Sequence, residues 1–182
     1  MSSYETGPKA KRMYYNGERF DSNLESKTAE ALDDLDIPWE YHRQGCRARG
    51  FPGGQYTPDF YLPGLSAYVE VAGVWDETHR QRAELFIKLM GCYDWDASFN
   101  DIVQNGAPRF VAVDGQGALH AVDKLGQPSS PAYLARCPRC GARYIAADSG
   151  NWGCPACGDH SGNRPLLGSN LFALGEATHG AQ

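Results

Sequence analysis

Residues 56–73 read YTPDFYLPGLSAYVEVAG, two apolar segments on either side of a Pro-Gly turn. Each segment carries one carboxylate, Asp59 in the first and Glu70 in the second. Glu70 lies between Val69 and Val71, where an ionised side chain is costly to bury without a partner. Two strands joined by a short turn lie side by side. We therefore expect the two carboxylates to meet and to share a divalent cation.

Helix and strand signals surround this stretch. A hairpin is predicted around Asn16-Gly17, and the helix after it has Ser22 as N-cap with Glu25 as its capping-box partner. A second helix is predicted to begin at Asp76 or Thr78 and to end before a glycine. Strands are predicted at 39–43, 56–62, 67–71, 109–113 and 118–122. This mixture predicts an α/β domain with a mixed central sheet flanked by helices.

The chain has 182 residues, of which 42% are hydrophobic. The composition changes along the sequence, and these changes predict five segments. The predicted segments are a flexible arm (1–13), a main domain (14–125), a Gly/Pro/Ser-rich linker (126–132), a zinc ribbon (133–168) and a partly ordered tail (169–182). No apolar run is long enough to span a membrane, and the first residues lack the apolar stretch of a signal peptide. We therefore expect a cytoplasmic protein without membrane contact.

Two copies of the pattern Cys-Pro-x-Cys-Gly lie in the predicted ribbon, at 137–141 and 154–158. In a cytoplasmic protein, paired cysteines of this spacing indicate a metal site and not disulfides. Four thiolates leave no open coordination position, so we expect a structural zinc ion, with iron as the alternative metal. The predicted ligands are Cys137, Cys140, Cys154 and Cys157.

The net charge of −5 gives no general support to nucleic-acid binding, but the arginines are clustered. Arg43, Arg47 and Arg49 lie in a stretch without acidic residues, and Arg139 and Arg143 lie in the predicted ribbon. Local basic patches can hold phosphates even in an acidic protein. We expect these five side chains to contact DNA; the alternative is that they are scattered solvated charges.

The acidic pattern resembles the PD-(D/E)XK nuclease superfamily over roughly residues 14–123. Pro58-Asp59 matches the first half of its motif, Glu70-Val71-Ala72 occupies the second half, and the segment 20–25 is similar to a first-helix motif of phage and recombination members. The resemblance implies a restriction-endonuclease-like core and a Mg²⁺ or Mn²⁺ site made by Asp59, Glu70 and the Val71 carbonyl, with Glu25 supporting it. It also implies a DNA endonuclease, of restriction-like or junction-resolving type, that is a homodimer in many relatives.

Ala72 departs from the motif, which has a lysine at this position. Three explanations are open: an engineered substitution that inactivates the enzyme, a cation from elsewhere, or a natural pseudo-nuclease that only binds. Lys88 is the first candidate for the substitute cation, with Lys27 and Arg80 behind it. The predicted function is metal-dependent DNA cleavage, and the alternative is a non-catalytic DNA-binding or assembly protein. An RNA-processing role has less support, because no strand resembles an RNA-stacking motif.

Overall fold

A computed structural model of the chain describes residues 13–42, 48–51, 54–92, 109–147, 154, 156–158 and 166–179. Within these ranges the protein is α/β, with three α-helices and twelve strands. The helices are α1 (Asn23–Asp34), α2 (Glu77–Met90) and α3 (Leu171–His179). The strands are β1 (Met13–Tyr15), β2 (Glu18–Phe20), β3 (Glu40–Tyr41), β4 (Ala48–Phe51), β5 (Gly54–Tyr56), β6 (Phe60–Leu62), β7 (Ala67–Val71), β8 (Arg109–Val113), β9 (Leu119–Val122), β10 (Pro128–Arg136), β11 (Arg143–Ala147) and β12 (Leu166–Gly168).

One mixed sheet organises the fold. Its strand order is β11-β10-β9-β8-β7-β6-β3, and β12 pairs with β10 outside this path. Strands β7 and β8 are parallel and lie on either side of α2 in the sequence, and the other neighbours in the path are antiparallel. Two small hairpins, β1–β2 and β4–β5, lie outside this sheet.

Helices cover both faces of the sheet, because its central strands are apolar on both sides. On one face, Leu32 of α1 and Leu171 of α3 belong to a core that includes Val69 and Val111. On the other face, Phe86 of α2 packs with Tyr68 in a second core. Alternate residues of β7 therefore point to different helices, and the acidic residue Glu70 shares the face of Tyr68.

Most predicted elements are confirmed. The Asn16-Gly17 turn joins β1 to β2. Helix α1 begins after Ser22, whose side chain accepts the Glu25 backbone N–H, and α2 begins after Asp76 in a reciprocal capping box. Strands β7 and β8 have the predicted bounds, 67–71 and 109–113.

Two predicted strands are shorter than expected. The strand predicted at 39–43 is limited to Glu40–Tyr41 within the described residues. The strand predicted at 56–62 is divided: Tyr56 ends β5, which pairs with β4, and Phe60 begins β6 in the central sheet. Pro58 explains the division, because it has no N–H to donate to a strand neighbour.

The segment 126–132, predicted as a linker, is instead part of the folded core. Its first residue, Gly126, has φ +77°, and an added Cβ would lie 2.1 Å from the Arg80 carbonyl oxygen of α2. The Gly126 carbonyl accepts the indole N–H of Trp75, and Pro128–Arg136 form one continuous strand. The prediction relied on Gly, Pro and Ser content, which does not report such tertiary contacts.

The predicted ribbon and tail also join the main domain. Leu134 of β10 and Ile145 of β11 are buried in the same core as α1. The tail contains α3, which packs on α1. Gly175 of α3 is so close to α1 that an added Cβ would lie 3.2 Å from the Ala31 Cα. None of the helices in the described ranges has the length and apolarity needed to cross a membrane.

Candidate functional site

Glu25 is an anchor at the start of α1. Its carboxylate accepts the Ser22 hydroxyl at 2.7 Å, the Tyr41 hydroxyl at 2.5 Å and the Asp21 backbone N–H at 3.1 Å. Burial, followed by the hydrogen bond to Glu25, raises the pKa of Tyr41 above its usual range. Both carboxylate oxygens of Glu25 therefore have protein donors. These contacts therefore give no support to the prediction that Glu25 helps to hold a metal ion.

Asp59 lies immediately before β6, where the ladder with β7 begins. Its Oδ2 accepts the Val71 backbone N–H at 2.7 Å, and its Oδ1 lies 3.6 Å from Nε2 of His42. The Asp59 carbonyl also accepts the His42 backbone N–H at 2.8 Å. The hydrogen bond with Asp59 raises the pKa of His42, against the effect of burial. These contacts fix the orientation of the Asp59 carboxylate at the start of β6.

Glu70 is buried inside the sheet, with 6% of its surface exposed. The Tyr56 hydroxyl donates a 2.7 Å hydrogen bond to Oε2 of Glu70. Burial raises the pKa of Glu70 well above its usual range and the nearby Asp59 carboxylate adds to the increase, while the Tyr56 hydroxyl, the Arg82 charge and the Asp59 backbone N–H oppose it. Asp59 and Glu70 are therefore neighbours, close enough for the charge of one to act on the other.

The remaining motif positions are also placed. Val71 orients Asp59 through its N–H. Ala72 is buried, with 7% of its surface exposed, and its N–H donates to the Val113 carbonyl. Lys88 is on the outer surface of α2, where its Nζ pairs with Glu84 at 2.6 Å and 62% of its side chain is exposed. This pairing argues against the prediction that Lys88 replaces the motif lysine.

Two residues near Glu70 were not predicted from the sequence. Tyr56 bonds to the carboxylate directly, and the guanidinium carbon of Arg82 lies 5.9 Å from the centre of the Tyr56 ring. Arg82 could have been found from its position one helical turn before Phe86. The apolar side chain of Phe86 identifies the face of α2 that covers the sheet, and residues four apart share a helix face. Tyr56 has no such signal, because its contact depends on where the β4–β5 hairpin lies.

Four cysteines form the second cluster. The ligand atoms of Cys137, Cys140, Cys154 and Cys157 all lie within 4.8 Å of one another. The Cys137–Cys157 and Cys140–Cys154 sulfur pairs are each 3.6 Å apart. A tetrahedral zinc site with bonds of about 2.3 Å requires sulfur separations of about 3.8 Å, whereas a disulfide requires about 2 Å. The four thiols therefore fit a single metal ion such as zinc.

The surroundings act in opposite directions on two thiols of this cluster, since burial raises the pKa of Cys154. Burial raises the pKa of the Cys137 thiol, but the backbone N–H groups of Cys140 and Arg139 outweigh this effect and lower the pKa to about 7. Tyr144 is 1% exposed and packs with Cys137 and Cys154, as expected for a residue that shields the site.

The predicted DNA-contacting arginines have different positions. Arg139 is exposed between two of the cysteines. Arg143 donates to the Leu35 and Asp36 carbonyls at the end of α1, so its guanidinium joins the ribbon to the main domain. Arg49 is on β4, and Arg43 and Arg47 lie outside the described residues.

The acidic residues do not form a preassembled ligand set of three. Among the described residues, the cysteine cluster is the only group of three or more potential ligands with all ligand atoms within 4.8 Å. Comparison with known proteins adds no assignment: no protein-family model, no curated protein and no solved structure matches this chain.

Proposed function

We propose that this protein is a metal-dependent nuclease that hydrolyses DNA phosphodiester bonds. The observation that carries the proposal is the proximity of Asp59, just before β6, to Glu70 on β7, with the Glu70 carboxyl buried. A buried carboxylate is costly unless it has a compensating partner, and a divalent cation is the partner that two carboxylates share best. Structural stability alone gives no reason to place a carboxylate there.

The topology supports the same proposal. Helix α1, strands β3, β6 and β7, helix α2 and strand β8 follow one another along the chain, with the β4–β5 hairpin inserted before β6. In the sheet, β3, β6, β7 and β8 are neighbours in that order, and only the β7–β8 pair is parallel. The resemblance to PD-(D/E)XK nucleases implies this arrangement of helix, three strands, helix and strand.

The donor atoms at the site suit a hard cation. Asp59 and Glu70 offer carboxylate oxygens and Val71 offers a carbonyl, the ligand types that Mg²⁺ and Mn²⁺ prefer. When bound, such an ion polarises a phosphate and lowers the pKa of an attacking water. The Val71 N–H holds Asp59 in position, and the Tyr56 hydroxyl holds Glu70.

Glu25 has a supporting role of another kind in this proposal. It holds the Tyr41 hydroxyl, and the Tyr41 ring stacks at 4.0 Å on the ring of His42. His42 in turn contacts Asp59. Glu25 thereby positions the segment beside the metal-binding carboxylates without being a ligand itself.

The cysteine cluster completes the proposal as a structural zinc site. Strand β10 connects this site to the sheet, and Arg143 connects it to α1. Zinc there would hold the ribbon rigidly against the main domain. Arg139, which is exposed beside the site, would be available for a phosphate.

The alternative is a non-catalytic DNA-binding protein with the same core, and Ala72 is the observation that favours it. The lysine expected at this position stabilises charge on the phosphate during cleavage, and an alanine has no charge to contribute. This alternative retains DNA binding but gives up hydrolysis.

A cleavage assay tests the proposal. Supercoiled plasmid, linear duplex, branched and single-stranded DNA would be incubated with Mg²⁺ or Mn²⁺, with Asp59→Asn as the inactive variant. Glu30→Gln is the matched control, because Glu30 is an exposed carboxylate on α1. We expect cleavage by wild type and Glu30→Gln and none by Asp59→Asn. Binding without cleavage would favour the alternative, and a chain that neither binds nor cleaves DNA would reject both.

A further inference from the structure

Arg82 lies on the face of α2 that covers the acidic site. Phe86 packs on Tyr68, with their ring centres 4.9 Å apart. Arg82 precedes Phe86 by four residues, which is about 6 Å along a helix, and Glu70 follows Tyr68 by two residues, which is about 6.6 Å along a strand. The helix of a β-α-β unit runs back along its sheet, so Arg82 lies level with Glu70.

Direct contacts agree with this placement. The Arg82 guanidinium carbon is 5.9 Å from the centre of the Tyr56 ring, and the hydroxyl of that ring bonds to Glu70 at 2.7 Å. Arg82 itself is half-buried.

The other basic residues of α2 have carboxylate partners. Arg80 pairs with Glu77 and Glu84, and Lys88 pairs with Glu84. No described carboxylate lies within ion-pair distance of Arg82. Among the described cations of this helix, Arg82 is therefore the one whose guanidinium is not already neutralised by a paired acid.

We propose that Arg82 contacts the scissile phosphodiester and supplies the positive charge that residue 72 lacks. Residues 70 and 72 share a face of the sheet, the side covered by α2, and the alanine at 72 contributes no charge there. A guanidinium is always protonated and offers two parallel N–H donors to phosphate oxygens. This inference rests on the proposed function and identifies its phosphate-binding group.

The test compares Arg82→Ala with Lys88→Ala, which removes a charge from the same helix away from the site. Affinity for a short duplex would be measured across a salt series in Ca²⁺, which occupies oxygen sites without supporting cleavage, and cleavage would be measured in Mg²⁺. We expect Arg82→Ala to reduce the slope of log affinity against log salt by about one and to slow cleavage about 100- to 1000-fold. Arg82→Lys should recover part of both losses, and Lys88→Ala should change neither.

The outcomes separate this inference from the function on which it rests. If Arg82→Ala binds and cleaves like wild type while Asp59→Asn is inactive, the role of Arg82 is wrong and the nuclease proposal stands. If Arg82→Ala weakens duplex binding in a chain that never cleaves, the phosphate contact is supported without catalysis. Equal losses in Arg82→Ala and Lys88→Ala would indicate a general charge effect and would overturn the inference. A wild-type chain that binds no duplex would overturn both. Melting temperatures and Arg82→Lys identify any variant that fails because it unfolds.

Discussion

The Tyr56 hydroxyl and the Glu70 carboxylate form a 2.7 Å hydrogen bond inside the protein, 14 residues apart in the sequence. This bond satisfies one oxygen of a carboxyl whose pKa is raised by burial and by Asp59. Glu70 is therefore placed where its charge costs stability until a cation compensates for it. The charge that metal binding requires therefore lowers the stability of the metal-free protein, and this loss of stability can be measured.

We expect Glu70→Gln to abolish Mn²⁺ binding and DNA cleavage while leaving the metal-free protein as stable as wild type or more stable. The amide keeps an oxygen for the Tyr56 hydroxyl and removes the buried charge. Thermal unfolding in EDTA and Mn²⁺ titration would measure the two effects. Glu70→Ala is the contrasting variant, because it leaves the Tyr56 hydroxyl without this acceptor and should be destabilised.

The stability difference between wild type and Glu70→Gln should depend on pH. The pKa of Glu70 is higher in the folded chain than the value of about 4.3 for an unfolded glutamate. Its contribution to stability is therefore complete below pH 4 and is lost as pH rises towards the folded pKa. In EDTA, the free energy of unfolding of Glu70→Gln should therefore increase relative to that of wild type as the pH rises from 4 to 8. A difference that is constant over this range would contradict the assignment of a raised pKa.

Ser22→Ala should destabilise the protein by about 1 kcal/mol, the typical cost of losing a helix N-cap. Its hydroxyl accepts the Glu25 N–H and donates to the Glu25 carboxylate, so the variant should also loosen the anchor at Tyr41. Urea unfolding would measure the change. Ser26→Ala is the matched control, because the Ser26 hydroxyl makes only a 3.4 Å contact with the Asn23 carbonyl. Equal losses in both variants would argue against a specific cap.

The cysteine cluster should bind one zinc ion per chain, and Cys137→Ser should lose it and lower the melting temperature of the whole protein. The whole chain is expected to respond because Leu134 and Ile145, on the strands next to the cluster, are buried in the main core. Elemental analysis and thermal unfolding would test both effects, with Cys92→Ala as a control outside the cluster. Unchanged melting of the main domain in Cys137→Ser would instead support an independent ribbon.

Local sequence signals predicted the parts of the structure that local interactions determine. The caps at Ser22 and Asp76 and the apolar residues on both sides of Glu70 identify α1, α2 and β7, because each signal depends on neighbours within a few residues. The pairing of Asp59 with Glu70 was also accessible, since a short turn joins their strands.

Long-range contacts explain the predictions that were wrong. Gly126 belongs to a turn tied to Trp75, which is 51 residues away in the sequence. Gly175 of α3 packs on Ala31, which lies on a helix near the other end of the chain. Arg82 reaches the site only because α2 folds back over β7. Composition and periodicity cannot report these contacts, since none of them lies within one local window.

The last prediction concerns Ala72, where a lysine would project towards the same site as Arg82. If Arg82 already provides the cation, Ala72→Lys should change wild-type cleavage little but should raise cleavage by Arg82→Ala at least tenfold. Ala72→Met is the matched control, because methionine adds a comparably long side chain without charge. Both substitutions should lower the melting temperature, since residue 72 is 7% exposed and a longer side chain must displace its neighbours. A gain of about 100-fold from Ala72→Lys in the otherwise wild-type chain would mean that the site had no cation, and Arg82 would then lose its proposed role. Equal rescue by methionine would exclude an electrostatic explanation.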